Sequence, residues 1–93
     1  MRYKTQPGIV LKSICDEHLL IATGPAREVC PAMKVINETA AYYWRLLAAG
    51  KSTEEMVAAA AADYSVSAEE IAPGVQAYLE MLSSQHYVFP EEE

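Results

Sequence analysis

The chain has 93 residues, 52% of them hydrophobic, and a formal net charge of −6. That length specifies one domain, residues 1–93, with a modest core and little room for a deep active site. No apolar run approaches the ~18 residues of a membrane span, Met1-Arg2-Tyr3-Lys4-Thr5-Gln6 opens without the apolar core of a signal peptide, and two cysteines make no secreted disulfide framework; a cytoplasmic protein with no membrane partner is expected.

Pro7-Gly8 is a turn signal. The β-branched run at residues 9–14 predicts a first strand, Asp16-Glu17 a hairpin break, and residues 18–22 a second strand. Gly24-Pro25 and Cys30-Pro31 mark a loop over residues 23–31, and residues 32–36 predict a third strand. That strand passes almost directly into a helix. Asn37 is a strong N-cap, Glu38 places a negative charge at the helix's positive end, and Ile36 sits where an apolar side chain staples the entry.

The first helix is predicted over residues 38–49, with Ala40, Tyr43, Trp44 and Leu47 on one stripe and Gly50 ending it. Ser52-Thr53-Glu54-Glu55 and Ser67-Ala68-Glu69-Glu70 read as capping boxes opening two further helices. The second helix aligns Met56, Ala60 and Tyr64; the third aligns Ile71, Val75, Tyr78, Leu79 and Leu82. Val66 anchors the turn between them. Pro73-Gly74 interrupts the third pattern. An interior proline costs ~3 kcal/mol, so a kink, or one turn followed by a new helix, is expected there. Residues 86–89 read as a short extended stretch before Pro90, and Glu91-Glu92-Glu93 of the acidic tail, residues 90–93, as solvated and frayed. The fold class is α+β: a small winged-helix-like domain, a three-stranded antiparallel sheet followed by three helices, the last two forming a helix-turn-helix.

A helix-turn-helix suggests DNA, but the charge distribution opposes it. Residues 1–51 hold all seven Lys and Arg against four acids, whereas residues 52–93 hold nine acids and no base. Duplex affinity rests on Lys and Arg at phosphates, so no nucleic-acid partner is expected. Cys15, His18 and Cys30 lack the tight paired spacing of a structural zinc site and read as ordinary thiols and a histidine; no metal and no cofactor are expected. His86 reads as a helix-end histidine. No phosphate loop, nucleophile–base spacing or H-E-x-x-H motif is present, and an enzyme is not expected.

Val35-Ile36-Asn37-Glu38-Thr39-Ala40, then Trp44 and Leu47, then Gly50-Lys51-Ser52-Thr53-Glu54-Glu55 resemble, in order and spacing, the PqqD-like proteins. Pro7-Gly8-Ile9-Val10-Leu11, Tyr64-Ser65-Val66 and Tyr78-Leu79-Glu80-Met81-Leu82 extend the likeness over about residues 7–89. That family contains pyrroloquinoline quinone biosynthesis protein D and recognition elements for ribosomally made, post-translationally modified peptides. The resemblance implies a non-catalytic chaperone or adaptor that binds the leader of a precursor peptide and presents it to a modifying enzyme, often a radical S-adenosylmethionine (SAM) enzyme. It implies that the leader adds to the edge of the third strand, at Met33, Lys34, Val35 and Ile36, and lies against Val75, Tyr78, Leu79 and Leu82 of the third helix. Two features depart from the family pattern: Pro73-Gly74 in the groove wall, and a long loop at residues 24–31 that would cover or extend the edge. The bottom-up reading is compatible, since an open edge strand is a template for another chain. The runner-up is a structural or homodimerising domain whose edge pairs with its own copy; a small enzyme subunit is the weaker third reading.

Overall fold

In a computed structural model describing residues 2–91, the order of elements is β1 (Arg2–Thr5), β2 (Ile9–Ile14), β3 (Glu17–Ala22), a 3-10 turn (Gly24–Glu28), β4 (Met33–Ile36), α1 (Glu38–Ala48), α2 (Thr53–Tyr64), α3 (Ala68–Ser84) and β5 (Val88–Glu91). Strands β2, β3 and β4 form an antiparallel sheet in that order, and β1 pairs with β5 in a separate two-stranded ribbon. The three-stranded sheet and three helices agree with the sequence reading.

Each helix is delimited by its own chemistry. Asn37 accepts from the Ala40 N–H, Ser52 and Glu55 form a reciprocal capping box, and Ser67 accepts from the Glu70 N–H. All three helices end the same way. Lys51 N–H donates to the Leu46 carbonyl, Val66 N–H to Ala61 and Tyr87 N–H to Leu82, each across a left-handed residue: Gly50, Ser65 and His86. Between the caps, Tyr43, Trp44 and Leu47 of α1, Met56 and Ala60 of α2, and Val75, Leu79 and Leu82 of α3 are buried with Leu20, Ala22 and Ile36 of the sheet. Tyr64, expected on the buried stripe of α2, is instead exposed and meets Tyr42 edge-on at 5.4 Å.

Three features add to or depart from the sequence reading. First, α3 runs as one continuous helix through Pro73, not as one turn followed by a new helix. Proline removes one backbone bond, but each fully buried Val or Leu stabilises by about 1.5–3 kcal/mol, so the stripe of Val75, Leu79 and Leu82 outweighs the ~3 kcal/mol penalty. Second, the polar opening, to which no element was assigned, is a strand. Tyr3 buries against the core while Arg2 and Lys4 face out, and β5 supplies the hydrogen-bonding partner, including Pro90 opposite Tyr3. Third, Glu91 therefore pairs with Arg2 in β5 rather than fraying; Glu92 and Glu93 lie outside the described residues.

The hairpin turn is Cys15-Asp16, both left-handed, one residue earlier than the predicted break. Two residues of positive φ match the twist of the flanking strands. Ala26 is buried beside Gly8, whose φ is +92° and where an added Cβ would lie 2.6 Å from the Thr23 carbonyl oxygen; no residue but glycine fits that contact. Thr23 closes the junction by donating its N–H and its hydroxyl to the Gly8 carbonyl. Among the described residues, no helix is long and apolar enough to cross a membrane.

Candidate functional site: an open strand edge beside an apolar groove

Strand β4 is short because Pro31 precedes it and the Asn37 cap ends it. It occupies the rim of the sheet, with β3 on one side and no strand on the other among the described residues. Which of its backbone groups face outward follows from the register. Ala22 N–H donates to the Ala32 carbonyl at 3.0 Å, and Ala22 stands opposite Ala32 when the β3–β4 pairing is continued by one residue. Hydrogen-bonded pairs alternate along an antiparallel ladder, so Lys34 and Ile36 bond to Leu20 and His18. The N–H and C=O groups of Met33 and Val35 then face the open edge. The other side of β3 gives the same phase. Thr23 bonds to Gly8, so Leu19 and Ile21 face β2 while His18, Leu20 and Ala22 face β4.

A groove of about 480 Å³ runs beside this edge, lined by Lys34, Val35 and Ile36 of β4, by Asn37, Thr39, Ala40 and Tyr43 at the start of α1, and by Gly74, Tyr78, Met81 and Leu82 of α3. Tyr78 ties the two helices together by donating its hydroxyl to the Ala40 carbonyl at 3.0 Å, and its ring lies 5.6 Å from that of Tyr43. The walls are mainly apolar, and Lys34 is the one charged side chain among the lining residues.

Of the eight residues singled out from sequence, Lys34, Val35, Ile36, Tyr78 and Leu82 line the groove. Met33 stands on the same strand, 59% exposed, outside the groove lining. Val75 and Leu79 are fully buried and back the groove wall from the core side. The groove lining also includes Asn37, Thr39, Ala40, Tyr43 and Met81, which the sequence reading did not single out for the site, and Gly74, which it placed in the groove wall only as part of the Pro73-Gly74 departure. Their signal was available in part: Gly74, Tyr78 and Met81 fall at i, i+4 and i+7, a second stripe beside the buried one.

Burial pushes the Tyr78 phenol well above its ordinary value of 10.0, and raises Tyr43 and Tyr87 in the same direction. The folded protein therefore holds these protons where the unfolded chain releases them. Stability should be intact below about pH 10 and fall as pH rises above it, by up to about 1.4 kcal/mol per pH unit for each such group. Thermal melts from pH 9 to 12 should show that decline, and Tyr78→Phe should flatten it. A wild-type melting temperature unchanged across the range would contradict the burial of these hydroxyls.

The thiols and the histidine stand apart from the groove. The buried Cys30 thiol, raised by desolvation, donates toward the His86 carbonyl at 3.3 Å, whereas exposed Cys15 sits at the hairpin turn and His18 Nδ1 is 2.7 Å from Ser13 Oγ. The structure does not bring Cys15, His18 and Cys30 together.

The family described as Coenzyme PQQ synthesis protein D (PqqD) matches residues 31–88. A solved structure of TbiB1 in complex with the TbiA(beta) leader peptide superposes with a TM-score of 0.77, covering 97% of this chain and 99% of that one, at 23% identity. No curated protein sequence matches the chain.

Proposed function

The chain belongs to the PqqD family, and we propose that it is a non-catalytic adaptor that binds the leader of a ribosomally made precursor peptide by strand addition and presents that peptide to a modifying enzyme. The observation that carries this reading is the juxtaposition at β4: outward N–H and C=O groups at Met33 and Val35, beside an apolar groove between β4, α1 and α3. A peptide strand laid on that edge gains main-chain bonds from the strand, while its alternate side chains enter the groove. The structural likeness to a protein solved with a leader peptide supports the same reading.

In this account residues 1–93 act as one recognition domain, with its core over about residues 7–89. The groove offers backbone partners and apolar walls rather than a nucleophile and base, so the chemistry belongs to the partner, which the family resemblance makes a radical SAM or other peptide-modifying enzyme. The encounter takes place in the cytoplasm, where ribosomal precursors are made. The homodimer reading uses the same edge, occupied by a second β4.

Calorimetric titration of the short precursor-like peptides encoded beside the gene, with the solution mass measured before and after, separates the two. One peptide should bind per chain and leave a single chain per complex. A dimer that binds none of these peptides contradicts the adaptor reading in favour of self-pairing.

A further inference from the structure

Lys34 is a half-buried cation. Its ammonium donates to the neutral Gln85 side-chain oxygen at 2.5 Å and lies 5.6 Å from the centre of the Tyr87 ring. Among the described residues no carboxylate pairs with it. Gln85 caps the carboxyl end of α3, whose partial negative charge compensates the ammonium in part. The remaining wall is apolar or neutral. A charge held partly out of water beside an apolar groove favours a ligand that brings the opposite charge to it.

The register says where on the ligand that charge must lie. Lys34 pairs with Leu20, which is fully buried, and Ile36 is buried too, so both side chains lie on the helix-facing side of the sheet. A strand added at the open edge sets side chains of its own beside these two, at alternate positions along its length. The position beside Ile36 meets Ala40, Tyr43, Tyr78 and Leu82. The position beside Lys34 meets the ammonium.

We propose that the peptide recognised here carries a carboxylate side chain two residues from an apolar one, the carboxylate pairing with Lys34 and the apolar residue filling the groove beside Ile36. This rests on the strand-addition reading above and specifies the ligand's chemistry. The orientation of the bound strand decides whether the order is acid-x-apolar or apolar-x-acid. The competing role for Lys34 is a guard against edge-to-edge aggregation, which inward-pointing charges on rim strands also provide.

Selection from a random dodecapeptide display library tests the proposal without a known leader. The baits are the wild type, Lys34→Met, which keeps an apolar stem over Tyr87, and Lys34→Glu; Val35→Pro serves as the edge control. The wild type should enrich the acid and apolar pair at a spacing of two. Lys34→Glu should enrich Lys or Arg at the position of the acid, and Lys34→Met should keep the apolar preference alone. For a selected peptide, replacing the acid by its amide should weaken binding to the wild type about tenfold, as expected for a charged hydrogen bond, and weaken binding to Lys34→Met far less. Enrichment of alternating apolar peptides with no acid preference overturns the carboxylate proposal, leaves strand addition standing, and assigns Lys34 the guarding role. Enrichment unchanged by Val35→Pro overturns the edge reading itself, and this proposal with it.

Discussion

Val35→Pro should leave the fold nearly intact and lower leader affinity at least about tenfold, whereas Lys34→Pro should unfold the domain or sharply lower its melting temperature. The two positions are adjacent, equal in sequence terms, and opposite in ladder phase. The Val35 N–H points to the open edge and bonds to nothing in β3; the Lys34 N–H bonds to Leu20. Proline is accepted on a rim strand when its missing donor faces outward. The residue before it is confined to extended backbone, which Lys34 already has. At Lys34 the same ring strands the Leu20 carbonyl, at about 1–3 kcal/mol, and forces β4 away from β3. That is a large share of a total stability of about 5–15 kcal/mol. For the bound peptide, a lost ladder bond is worth about 0.5–1.5 kcal/mol. Crowding by the ring against the incoming strand adds to it, and about 1.4 kcal/mol is tenfold in affinity. Melting curves and calorimetric titration of the leader check both halves. If both variants stay folded and bind like wild type, the leader does not use this edge.

The second large effect is expected at Gly74. A glycine inside a helix costs about 0.5–1 kcal/mol relative to alanine, yet here it lines the groove, and an added Cβ meets nothing within 4 Å. Gly74→Ala should therefore raise stability by about 0.5–1 kcal/mol with little change in binding. Gly74→Trp should fold as well, since the space it enters is the groove, and should weaken leader binding by tenfold or more by occupying the place of the ligand's side chain. Urea melts report the first effect and titration the second. Wild-type affinity in a folded Gly74→Trp variant would show that the ligand bypasses the wall of α3.

Much of the framework was legible because it is written locally. Asn37, Ser52 and Ser67 announce the helix starts through hydrogen bonds that reach only three residues. The apolar stripes of α1 and α3 announce their buried faces. What escaped depends on distant partners. Arg2-Tyr3-Lys4-Thr5 carries one buried side chain in the middle of polar ones, and becomes a strand only because β5 meets it from the far end of the chain. Pro73 reads as a break until the burial that overrides it is known. The same limit applies to the site. The structure sets the third strand and the third helix on two sides of one groove. Which face of α3 lines that groove was not legible, because Val75 and Leu79 share the apolar character of groove residues while facing the core. Hydrophobicity marks burial, and burial in a core and in a binding groove look alike along a sequence.

The central claim is that Met33 and Val35 offer their backbone groups to an incoming strand, and residue-resolved amide hydrogen exchange tests it most directly. In the free protein the Lys34 and Ile36 amides should exchange slowly, bonded within the sheet, and those of Met33 and Val35 quickly. With saturating leader peptide, protection at Met33 and Val35 should rise at least about tenfold, the change expected for one added backbone bond of ~1.4 kcal/mol, with little change at Lys34. Fast exchange at Met33 and Val35 in the saturated complex would contradict strand addition, even with the peptide bound elsewhere in the groove.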